Sequence, residues 1–126
     1  MRLINEERAE HGLPALLPDS LLTQVARQHS ADMAKSHYFS HIEPPPTKRN
    51  PLDRFALALG RQPGYVVGEN IARANQPLMG LIHAQMLDSP EHKANLLDAE
   101  YTRVGVGIYS LEDGRVWLTQ MFSGGT

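Results

Sequence analysis

Two hydrophobic periods follow one another along this chain, and the change from one to the other separates predicted helices from predicted strands. Leu3 and Ile4, followed by Glu6, Glu7 and Arg8, open a short amphipathic helix that stops at His11-Gly12, where glycine suits the backbone beyond a helix end. After the apolar connector from Leu13 to Pro18, Asp19 is placed to cap a longer helix running to about residue 37. Leu22, Val25, Ala26, His29 and Met33 share one face of it. Asn50-Pro51 begins a short helix through Leu52, Phe55 and Leu59. Leu78, Ile82 and Met86 stand four apart between Pro77 and Leu87 and predict another. Ser89-Pro90-Glu91-His92 opens the next, with serine at the cap and His92 in the first turn.

Tyr65-Val66-Val67 reads as a short strand leading into Gly68-Glu69-Asn70-Ile71-Ala72. Val104, Val106 and Ile108 alternate with Gly105 and Gly107 in the next strand, and Val116 to Phe122 forms its partner across an Asp113-Gly114 turn. Two glycines on one strand face leave room for a helix backbone, which predicts an α+β fold with helices packed on a sheet. From His41 to Gly64, Pro44-Pro45-Pro46 and Pro51 forbid a regular ladder. A functional loop and a simple wrapping of the core are both open readings of that segment.

Composition narrows the function. The 126 residues, 41% hydrophobic and 21% charged, suit one domain spanning 1–126. The formal charge of -2 comes from interspersed signs without a basic block, so nucleic acid is not expected as a partner. No apolar run approaches the roughly 20 residues that span a bilayer. The absence of cysteine excludes disulfides, thiolate metal sites and a cysteine nucleophile, but does not decide the compartment. Met1 leads directly into an amphipathic segment, which reads either as a cytosolic start or as a mature domain given a new one.

Several short strings stand in one order: Leu3-Ile4-Asn5 with Arg8 and Gly12-Leu13; Ala26, His29-Ser30 and Asp32-Met33; and Tyr38-Phe39-Ser40-His41. Gly68-Glu69-Asn70-Ile71, Ser89 to Leu97, Val104-Gly105-Val106-Gly107 and Thr119-Gln120-Met121-Phe122 complete the pattern. Together they resemble the bacterial branch of the CAP superfamily, the SCP-like group that includes cysteine-rich secretory proteins, antigen 5 and pathogenesis-related class 1 proteins. The resemblance implies an α-β-α sandwich with a central antiparallel sheet between helical layers, a secreted or cell-envelope location, and a shallow cleft with two histidines and acidic residues. By position these are His41, Glu69 and His92. The family's fourth cleft position, often glutamate, falls near Ser89, with Asp88 and Glu91 as the neighbouring carboxylates.

Two imidazoles and a carboxylate are a donor set for zinc or another divalent cation, with an open position for water that a spare carboxylate could deprotonate in weak hydrolysis. The competing reading is that His41 and Glu69 hydrogen-bond each other and tie the proline-rich loop to the sheet. A metal-independent role in binding a small molecule, a lipid or sterol, or a cell-surface protein is a further expectation from the resemblance. Leu52, Phe55 and Leu59 would be its apolar contacts unless they are simply core. The chain is expected as a monomer or weak dimer. Of the other polar residues, His29 reads as a packing residue satisfied locally, His11 and His37 as helix-end cations, and His83 as solvated. Asn70 and Asn95 read as braces for turns.

Overall fold

The computed structural model describes residues 1–124. In chain order the elements are α1 (Arg2–Glu10), β1 (Leu17–Pro18), α2 (Ser20–Lys35), α3 (Pro51–Leu59), β2 (Val67–Ala74), α4 (Met79–Leu87), α5 (Pro90–Leu96), β3 (Arg103–Ser110) and β4 (Val116–Ser123). The sheet order is β1-β3-β4-β2. The three long strands are antiparallel, with Gly105 opposite Met121 and Asn70 opposite Gln120, and the two-residue β1 adds a parallel pair beside β3.

Helices cover both faces of this sheet. On one side α2 and α3 bury Leu22, Val25, Ala26 and Phe55 against Met121, while Met33 packs with Ile71 and Trp117. On the other, Ile4, Ile82, Met86 and Leu96 meet Val104, Leu118 and Phe122. The alternation in β4 explains the division: Trp117, Thr119 and Met121 face α2, and Leu118, Gln120 and Phe122 face the opposite layer. The expected α-β-α sandwich is the observed architecture.

Local chemistry sets the helix starts. Asp19 accepts a hydrogen bond from Leu22 N at 2.9 Å to cap α2. Asn50 and Asp53 cap α3 reciprocally, and Gly60 ends it in the left-handed conformation at φ 85°. Ser89 occupies the cap position of α5, but its side chain makes no capping bond. Leu78 precedes α4 and is 51% exposed, so only Ile82 and Met86 of the predicted stripe reach the core. His83, expected in solvent, is half-buried. The strand expected to begin at Tyr65 begins at Val67 and continues to Ala74, which puts the whole Gly68 to Ala72 string inside the sheet.

Two buried features hold the layers in place. Gly105 and Gly107 lie directly under α2, where an added Cβ would overlap the backbone of Leu22-Thr23 and of Ala26-Arg27. Arg8, 1% exposed, donates from Nε to Pro14 O and from Nη1 to Leu96 O and Asp98 O, each at 3.0 Å, tying α1 to the end of α5. Among the described residues no helix is long and apolar enough to cross a membrane.

Because a methyl group at either glycine has no space without moving α2, Gly105→Ala or Gly107→Ala is expected to lower stability by about 3 kcal/mol. Chemical denaturation measures this, and an unchanged midpoint would show that α2 does not need the close approach.

Candidate functional site

Glu69 on β2 is the centre of the site. Its side chain is 1% exposed, and both carboxylate oxygens have partners: Oε1 accepts from His41 Nδ1 at 2.8 Å, and Oε2 accepts from Arg54 Nη2 at 2.7 Å. His29 Nε2 lies 3.7 Å from Oε1 and also 3.0 Å from Ser40 O. A carboxylate with so little water needs this company, because an unpaired buried charge costs several kcal/mol. Arg54, 9% exposed on α3, also donates from Nη1 to His41 O at 2.9 Å and Arg49 O at 3.1 Å. It thereby fixes the irregular segment on both sides of the proline run. Tyr38 anchors the start of that segment by donating its hydroxyl to Asp32 Oδ2 at 2.6 Å.

His92 reaches the same region from α5. Asn95 Nδ2 donates to Glu69 O at 3.1 Å and to Asn70 Oδ1 at 2.8 Å, and Asn70 Nδ2 donates to His92 O at 3.1 Å. These asparagines therefore lock a helix to a strand, where the sequence suggested braces within turns. The backbone of Ile71 lies close enough to the His92 ring, at the edge of β2, to favour its protonated form.

His41 and His92 face a common cleft of about 540 Å³. Its walls are Phe39 to His41 on one side, Ile71 to Arg73 of β2 along the floor, and Ile82, Met86 and Ser89 on the other side. Asp88 and Glu91 are exposed and do not line it, and Ser89 brings no carboxylate to the fourth position. The apolar trio does not form one surface: Phe55 is 2% exposed in the core, Leu59 packs at the edge of that cluster, and Leu52 is 38% exposed.

The expected three-donor zinc set does not fit this arrangement. Glu69 is turned to His41 and Arg54, and a guanidinium in contact with a carboxylate opposes a second cation there. Among the described residues no three His, Cys, Asp or Glu side chains form a group suited to a metal ion. What remains for a cation is the pair His41 and His92, with Glu69 behind His41 as the partner of its other nitrogen. The structure thus brings His41 and Glu69 into contact and sets His92 on the same cleft. It adds Arg54 and His29, which the sequence did not mark as site residues. The only cue to Arg54 was an arginine one position before the core residue Phe55.

A model of the CAP family, described as the cysteine-rich secretory protein family, matches residues 1–122, and the chain belongs to that family. The uncharacterized Bacillus subtilis protein YkwD is 35% identical over 127 residues, covering 98% of this chain and 45% of YkwD. This chain therefore spans less than half of that relative. An extracellular protein containing an SCP domain from Bacillus anthracis is 34% identical with a TM-score of 0.74, over 94% of this chain and 37% of that one. An outer surface protein from Borrelia burgdorferi shares the fold at a TM-score of 0.83 and 20% identity, over 95% and 85% of the two chains.

Burial pulls the His29 ring below its usual 6.5, against the raising effect of Glu69. His92 shifts the same way, through burial first and repulsion from His41 second, and burial also lowers His83. Below 6.5 the unfolded chain takes up protons that the folded rings resist. The stability from these shifts is complete above 6.5 and falls as the pH drops through that value towards the lower folded ones. Urea unfolding is expected to show a lower midpoint at about pH 5 than at about pH 7.5, with a smaller difference in His29→Asn. A pH-independent midpoint would contradict the direction of the shifts.

Arg54→Met leaves the Glu69 charge buried with less compensation and is expected to cost about 3 kcal/mol. Adding Glu69→Gln should recover a measurable part of that loss in a double-mutant cycle. Additive effects of the two substitutions would refute the coupling.

Proposed function

We propose that this CAP domain works outside the cytoplasm, in the extracellular space or the cell envelope, and that its function is to bind a small organic ligand in the cleft between His41 and His92. The location rests on family membership and on the extracellular description of the Bacillus anthracis relative. One observation carries the binding reading: two imidazoles, His41 held by Glu69 and His92 placed by the Asn70 bond to its carbonyl, flank a cleft whose other walls include Phe39, Ile71, Ile82 and Met86. Apolar walls with a few convergent polar groups of settled orientation suit recognition of an organic molecule. Glu69 supports this arrangement by positioning His41, and does not meet the ligand itself.

A second reading is favoured by the same imidazoles. A metal-bound histidine commonly gives its other nitrogen to a carboxylate or backbone carbonyl, and the His41–Glu69 pair has that form. Two protein donors leave a zinc ion short of its usual four ligands, so a divalent cation would be held weakly unless the ligand itself completed its shell.

The test is a pair of titrations on the domain and on His41→Ala/His92→Ala, with folding checked by circular dichroism. Nuclear magnetic resonance shifts at Ile71, Arg73 and Met86 on adding octanoate or a short acetylated peptide, equal with and without chelator, are the expected result. Calorimetric zinc binding that is one-to-one, tight and lost in the double variant would put the metal reading first. Organic probes that leave the cleft resonances unmoved would overturn the primary one.

A further inference from the structure

The floor of the cleft is the outer edge of β2, because β2 is the last strand in the sheet order. In an antiparallel pair, alternate residues turn both backbone groups towards the partner strand or away from it. Gly124 N donates to Val66 O at 2.9 Å, so the even-numbered positions bond towards β4, and Asn95 takes Glu69 O from the other side, so the odd-numbered residues of β2 face away from β4. Ile71 N–H and both backbone groups of Arg73 therefore point outwards, beside the open cleft. Unpaired edge groups of this kind are a template for another strand.

Side chains around that edge add chemistry. The Arg73 guanidinium lies 4.8 Å from the centre of the Phe39 ring and forms no ion pair with a carboxylate among the described residues. Stacking restrains a cation that is left free to meet an anion. Phe39, Ile82 and Met86 supply apolar walls close by. The open edge is short: Asn95 closes it at Glu69, which suits the end of a chain better than a strand passing through.

We propose that the cleft binds the C-terminal end of an extended peptide by strand addition to β2. The ligand backbone bonds to Ile71 N–H and to the N–H and C=O of Arg73. An apolar side chain lies between Phe39 and Met86, and the terminal carboxylate meets the Arg73 guanidinium. This rests on the cleft being the binding site and specifies the class of ligand. A fatty-acid-like amphiphile could use the apolar walls and Arg73, but would leave the backbone edge unpaired, so the observations favour a peptide.

Acetyl-Ala-Leu-Phe with a free carboxylate, its C-terminal amide, a form N-methylated at both internal amides, and octanoate are titrated into the isotope-labelled domain and into Arg73→Gln. The free acid is expected to shift the Ile71 and Arg73 amides and to bind about tenfold more tightly than the amide, the scale of one charge-assisted hydrogen bond. That preference should disappear in Arg73→Gln, whose exposed position leaves the fold intact, and N-methylation should abolish binding. Octanoate moving the cleft resonances while the peptides do not would overturn strand addition and leave the cleft as the binding site. Equal binding of the N-methylated and parent peptides would also overturn it. No response at the cleft to any probe would overturn both readings.

Discussion

A single buried negative charge organises the half of this domain that carries the candidate site. Glu69 sits in the sheet with a side chain 1% exposed, and its charge is compatible with that position only because Arg54 and His41 reach it. Satisfying one carboxylate therefore constrains three distant pieces of chain. Arg54 must come from α3, His41 from the loop before it, and the intervening proline-rich segment must close over the sheet. The same guanidinium holds the His41 and Arg49 carbonyls, so charge compensation and loop closure are one interaction.

Packing supplies the frame that makes such burial feasible. Gly105 and Gly107 let α2 lie directly on β3, which brings His29 within 3.7 Å of Glu69 and puts Ser30 Oγ 3.0 Å from Gly107 O. On the opposite face, Asn70 and Asn95 join β2 to α5 and fix the position of His92. The cleft thus lies where the two helical layers meet the outer strand. Its two histidines come from opposite sides of that strand, His41 oriented by Glu69 behind it and His92 placed through its carbonyl by Asn70.

This arrangement bears on what the cleft of this CAP domain can hold. A family pattern of histidines and carboxylates invites a metal, yet here Glu69 is turned inward to an arginine and Ser89 stands at the fourth position. A cleft left with two imidazoles and apolar walls, its carboxylate engaged behind them, is the ground on which ligand recognition is proposed ahead of metal-assisted hydrolysis. Arg73 then becomes the distinctive cation of the site, because no carboxylate among the described residues pairs with its charge at the rim.

By itself the sequence determined the elements whose causes are local: Asp19 capping α2, Asn50-Pro51 starting α3, the Asp113-Gly114 hairpin, and the buried face from Leu22 to Met33. The ordered motifs also disclosed the family, and with it His41, Glu69 and His92. Sequence spacing could not show that Glu69 would point from a strand to Arg54, fifteen residues away, since ion pairing across a core depends on how α3 docks and not on any period. Nor could it separate Phe55, buried, from Leu52, exposed, because both are apolar positions on a short helix whose orientation is set by its packing partners. Which backbone groups of β2 lie open was likewise decided by tertiary structure, since an edge exists only once the order of strands is settled.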